Sequence, residues 1–116
     1  MSRRRWTLLA LLYMAAIFAL SSVPDDRGSA LSRTVLFLPP KWQNLLHVPL
    51  FFGLAWLWSH ATTKGNALLI AVVYGALDEM HQMYVPGRFA SVTDALLDAL
   101  GGVLCFLWIS YRDRTR

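Results

Sequence analysis

Charge is scarce in this chain and cysteine nearly absent, and each shortage narrows what the chain can be. Only 16% of its 116 residues are charged, against 56% apolar. A small water-soluble domain must cover its surface with polar side chains, so this balance argues against one. Cys105 is the lone cysteine, which excludes an internal disulfide. It lies in an apolar run, without the electropositive setting that a reactive thiol needs, and reads as a small core hydrophobe. Cys/His clusters of zinc-binding spacing are missing. So are G-x-S-x-G, H-E-x-x-H and P-loop patterns, which leaves no familiar catalytic signature. Sequence repeats and low-complexity segments are absent too.

What the chain does have is grease. Four apolar stretches run over about 6–23, 42–59, 67–84 and 92–111. Each is near the lower length limit for crossing a bilayer core. The expected fold is all-α: one domain over 1–116, with four transmembrane helices in an antiparallel bundle. The first stretch also has features of a signal peptide, with a basic start and small residues at Ala19, Ser21 and Ser22. Its length, and the even number of spans that the C-terminal arginines support, favour a retained span.

The formal charge of +4 is concentrated at the ends, in Arg3–Arg5 and in Arg112, Arg114 and Arg116. No basic face with interleaved aromatics lies between them, so nucleic acid is not an expected partner. The positive-inside rule gives the better account. With four spans, those clusters and Lys64 share the cytoplasmic side, giving an N-in/C-in, multi-pass protein of the cell membrane. Trp6, Trp42, Trp56, Trp58, Trp108 and Tyr111 fall near span ends, as an interfacial belt does.

The loop from Pro24 to Lys41 and the turn around Gly87 then face outward. Within the loop, Leu31, Val35 and Leu38 allow a short amphipathic surface helix; an irregular solvated loop fits equally well. Pro49 falls about two turns into the second span, or in the first turn of a helix that starts near Val48. Val85, Pro86, Gly87 and Arg88 fit a type II turn, and Ser91 with Asp94 matches a capping box.

Asp78, Glu79, Asp94 and Asp98 lie inside or beside these apolar runs. Charge in hydrocarbon is costly, so ionisable residues there mark a candidate site. Helical spacing puts Ala71, Gly75, Asp78 and Gln82 on one face, with Glu79 beside it. Ser91, Asp94, Asp98 and Gly102 form a second face. Small residues at Ala71, Gly75, Gly101 and Gly102 permit close helix approach. His47 lies at similar depth on the second span. The candidate binding set is therefore His47, Asp78, Glu79, Gln82, Arg88, Ser91, Asp94 and Asp98. Within it His47, Asp78, Glu79 and Asp98 are candidates for catalysis. Four carboxylates around one obligate cation, Arg88, leave excess negative charge. Shared protons, charged histidines, a divalent cation or a cationic ligand would each restore balance. For each residue an architectural role is also open: Asp94 as cap partner, Arg88 as an ion-pair staple, His47 as a structural histidine. No cofactor is identified by any motif.

At these positions the chain resembles the VanZ-like family of small integral membrane proteins. The resemblance rests on Asp78, Glu79 and Gln82, on Val85-Pro86-Gly87-Arg88, and on Ser91, Asp94 and Gly101. His47 is similar to the family's second-span histidine, and Ser21, Ser22 and Pro24 to its motif ending the first span. Gln43 and Asn44 stand where members often carry Asp and Lys, and Asp98 where they often carry Asn. The family takes its name from a protein associated with glycopeptide resistance. The polar cluster at the outward end of the apolar spans then suggests membrane lipids and a lipid-linked or glycopeptide-type amphiphile as partners. An intramembrane enzyme acting on a lipid head group, or a proton or cation transporter, are the alternatives.

Overall fold

The computed structural model describes residues 1–24, 40–88 and 91–116, with backbone alone for 40–44. These form four helices and no strand: α1 (Arg3–Ser21), α2 (Pro40–Ala61), α3 (Lys64–Gln82) and α4 (Val92–Thr115). The loop expected to face outward, with its candidate surface helix, lies outside the described residues.

Local chemistry sets the helix ends. Ser2, Thr63 and Ser91 have extended backbones, and their hydroxyls accept from the amides of Arg5, Asn66 and Asp94. Each satisfies one of the amides that a helix start leaves without a partner. Pro40 opens α2, where a missing N–H costs nothing. Pro49 is inside that helix, so the first of its two readings holds.

Contacts fix the topology. Trp6 stacks on His60 at 4.2 Å and Tyr13 donates to the Leu50 carbonyl at 2.6 Å, so α1 and α2 run antiparallel. Met14 accepts from Tyr74 at 2.6 Å, and Gln82 reaches Ser21 at 3.5 Å, which makes α1 and α3 parallel. Only Thr62 and Thr63 join α2 to α3, and a link that short forces reversal. Consecutive helices therefore alternate in direction, as the sequence leads one to expect. Lys64 lies 3.5 Å from Asp113, and Trp6 is level with His60. The two basic termini thus share one end of the bundle with Lys64.

The interior is small and mixed. Ile17, Phe51, Leu54, Ala55, Ala71, Cys105 and Ile109 form the apolar core. Ser21, Asp78, Glu79, Gln82, Asp94 and Asp98 are buried as well. Leu8, Leu12, Leu69, Leu77, Leu96 and Leu107 are instead more than half exposed. Polar inside and greasy outside inverts the pattern of a water-soluble domain. α1 and α4 are long and apolar enough to cross a membrane, while the apolar part of α2, Leu45–Ala61, is shorter.

Contact is most extensive between α2 and α4, then between α3 and α4, while α1 rests on α2 and touches α3 lightly. Glycine makes the tight contacts available. A Cβ on Gly101 would press on the Val48 carbonyl and lie 2.9 Å from the Phe52 nitrogen. One on Gly75 would fall 2.7 Å from the Asp98 Cβ. Along the lightly packed side, Met14, Leu69, Ile70, Val73, Tyr74 and Leu77 line an apolar groove of about 320 Å³.

Gly101→Val is expected to destabilise the fold by about 1–3 kcal/mol through overpacking. Gly65, in the first turn of α3, has nothing within 4 Å of the place a methyl would take, and Gly65→Ala should be neutral or slightly stabilising. Thermal unfolding of the detergent-purified variants checks this; equal midpoints would show that the α2–α4 approach does not depend on glycine.

Candidate functional site

Three helices contribute the expected polar side chains to the end of the bundle away from the basic termini. α2 supplies His47. α3 supplies Asp78, Glu79 and Gln82, spaced so that all three are on its buried face. α4 supplies Asp94 and Asp98, one turn apart on its own buried face. The turn between α3 and α4 sets their register. Gly87 has φ 76°, and the Arg88 amide donates to the Val85 carbonyl at 3.1 Å, the type II geometry expected.

The closest polar contact is between His47 Nδ1 and Asp98 Oδ1, at 2.5 Å. Asp98 is fully buried, and the His47 side chain is 18% exposed. Glu79 completes a group of three, with one ligating atom from each of His47, Glu79 and Asp98 lying within 4.8 Å of the others. Beside them, Gln82 bridges Asp78 and Ser21, at 3.5 Å to each.

Several carboxylate oxygens have no visible partner. Asp78 Oδ1, Glu79 Oε1, Asp94 Oδ1 and Asp98 Oδ2 are all buried without a hydrogen bond among the described residues. A buried polar group left unsatisfied costs about 1–3 kcal/mol, more when charged. These acceptors are therefore poised to meet donors, protons or a cation.

The structure brings His47, Asp78, Glu79, Gln82, Asp94 and Asp98 together, and gives Ser91 and Arg88 other work. Ser91 caps α4 through its hydroxyl. The capping box is only half made: the Ser91 amide donates to Glu79 at 3.3 Å, so Asp94 does not close it. Asp94 Oδ1 is left buried without a partner among the described residues. Arg88 is not a staple between carboxylates, and among the described residues the ion pairs are His47–Asp98 and Lys64–Asp113. Its Nε donates to the Val23 carbonyl at 2.9 Å and its Nη2 to the Leu20 carbonyl at 3.1 Å. A guanidinium at a helix C-terminus satisfies orphan carbonyls and complements the macrodipole. Arg88 thus ties the end of α1 to the α3–α4 hairpin. Ser22 and His81, 2.8 Å apart, tie it a second time, and His81 stacks on Phe18 at 4.4 Å.

Ser21 belongs to the pocket but stands outside the set expected from sequence. It is buried and contacts Gln82. Its signal was available: Ala10, Ile17 and Ser21 share the buried face of α1, at heptad-like spacing.

A family model described as VanZ/LLP1 matches residues 6–112 and so takes in all four helices. No curated protein and no solved structure matches the chain.

Arg88→Ala should cost about 1.5–3 kcal/mol, the worth of hydrogen bonds to a charged group. Hydrogen exchange is expected to quicken at the end of α1. Asp98→Ala should cost more, about 3–5 kcal/mol, because it strands His47 in the interior. Unchanged exchange at residues 20–23 in the Arg88 variant would refute the clamp.

Proposed function

The chain belongs to the VanZ/LLP1 family, and from that premise we propose a multi-pass cell-membrane protein that binds the polar head group of an amphiphile. Two membrane-capable helices and the family assignment point to a membrane protein. The finer reading is four transmembrane helices, with both termini in the cytoplasm. It is supported by the exposed leucines along the bundle and by the basic residues gathered at one end. A helix of 19 residues spans about 28 Å, close to the hydrocarbon thickness. The polar pocket then opens toward the outer leaflet.

The observation that carries the binding reading is the set of buried carboxylate oxygens without partners among the described residues. Acceptors in that density call for a ligand rich in donors: amines, hydroxyls, or a cation that carries them. His47, Asp78, Glu79, Asp94 and Asp98 form the head-group site, with Gln82 and Ser21 holding Asp78. Arg88 acts on α1 and only indirectly on the ligand. The apolar groove offers the tail a place, since Tyr74 and Leu77 lie within about one helical turn of Asp78. A lipid-linked wall precursor or a lipid-bearing glycopeptide has this chemistry, and a role in envelope function or antibiotic resistance follows from holding one.

A second reading is supported by the His47–Asp98 contact, which resembles a general base and its orienting carboxylate. In it His47 takes a proton from a nucleophile at a lipid head group. Transport has less support. Beneath the polar cluster the described core is Ile17, Phe51, Leu54, Cys105 and Ile109, which offers an ion no polar path.

Two measurements test the proposal. In cells, Tyr84→Cys should react with a membrane-impermeant thiol reagent, and Arg116→Cys only after permeabilisation; the reverse pattern would invert the topology. In reconstituted vesicles, a fluorescent amine-bearing lipid should bind saturably. Asp78→Asn and Glu79→Gln should each weaken it about tenfold, or about 1.4 kcal/mol. Affinity indifferent to both substitutions would remove the site.

A further inference from the structure

We propose that His47, Glu79 and Asp98 form a binding site for one divalent cation of the zinc or manganese kind, an inference that rests on the head-group reading. The three residues come from three different helices, α2, α3 and α4, yet bring a ligating atom each to within 4.8 Å of the others. Donors about 2.0–2.2 Å from a shared ion lie about 3–4 Å apart, so the widest gap in the ring must close by at most about 1–2 Å.

A second observation points to a ligand here. Asp98 is fully buried and Glu79 is 5% exposed, yet Asp98 Oδ2 and Glu79 Oε1 have no hydrogen-bond partner among the described residues. Their other oxygens are engaged, by His47 and by the Ser91 amide. Each carboxylate is thus held by one oxygen while its second is left for something else. Gly75 backs directly onto Asp98 and limits its retreat.

The charge arithmetic agrees. Neutral imidazole with two carboxylates carries two negative charges, which a divalent ion cancels. The ion displaces the proton that His47 and Asp98 share, and that proton leaves to solvent. One nitrogen and two oxygen donors make a borderline set. Imidazole favours zinc, carboxylates alone would favour magnesium or calcium, and the mixture suits zinc or manganese. Three protein ligands leave at least one coordination position open, as in catalytic rather than structural zinc sites. A head-group oxygen can occupy it, while Asp78 and Asp94 accept from neighbouring donors.

The test uses the full chain in detergent micelles and the metal chlorides alone, with no lipid added. Equilibrium dialysis should find about one zinc ion per chain, with zinc preferred over magnesium at least tenfold. Glu79→Gln and Asp98→Asn should each weaken zinc at least tenfold, while Asp113→Asn, beside Lys64 at the opposite end of the bundle, changes it less than about threefold. X-ray absorption at the zinc edge of the unsubstituted protein should show one imidazole among oxygen ligands, independently of whether any variant folds. Substoichiometric zinc, or a spectrum without imidazole, would overturn the proposal. Amine-lipid binding that persists after such a result would leave the head-group reading standing, and loss of both would remove the two together.

Discussion

The contact between His47 and Asp98 constrains everything around it. A carboxylate with no solvent exposure is tolerable only beside a partner that shares or offsets its charge. That partner sits on another helix, so α2 and α4 must approach closely and in one register. Gly101 permits the approach by letting α4 lie against the backbone of Val48 and Phe52. Gly75 does the same for α3 on the far side of Asp98. The glycines, the proline-containing α2 and the type II turn before α4 all serve to hold one acid in place. Apolar packing below, around Phe51 and Leu54, then completes the bundle.

Much of this was legible in the chain. Hydropathy marked the helices, whose outer faces carry exposed leucines, and two of them, α1 and α4, are long and apolar enough to cross a membrane. Helical period identified the inward faces of α3 and α4, since Asp78, Gln82, Asp94 and Asp98 break an otherwise apolar pattern at multiples of a turn. The Pro86-Gly87 turn was readable from the positive φ that only glycine adopts at no cost. Pairing was harder. Arg88 is the cation nearest the acids in sequence, and charge alone assigns it to them. Three-dimensional competition gave it to the carbonyls of Leu20 and Val23 at and just beyond the end of α1. In the same way the Ser91–Asp94 spacing suggested a reciprocal cap, but Glu79 takes the Ser91 amide. Both differences come from partners more than ten residues away, which local spacing does not encode.

α1 is held differently from the other helices. Its packing contacts are mainly with α2, and its far end is secured by polar ties from Arg88 and His81. At the opposite end Trp6 lies on His60 and meets Trp56 edge-on at 5.5 Å. Between these fastenings the seam with α3 is shallow and apolar. Three helices thus build the acidic cluster, and the fourth is strapped across their flank, lending Ser21 to its edge.

The glycine at position 75 makes two residues on different helices inseparable. With only hydrogen there, the wall beside Asp98 is main chain, and the acid fills the space that any side chain would need. Enlarging one therefore requires shrinking the other. Descendants of this sequence that gain a methyl at 75 can do so only by giving up the aspartate's present rotamer or the aspartate itself, and either change alters the chemistry of the pocket without touching its other members.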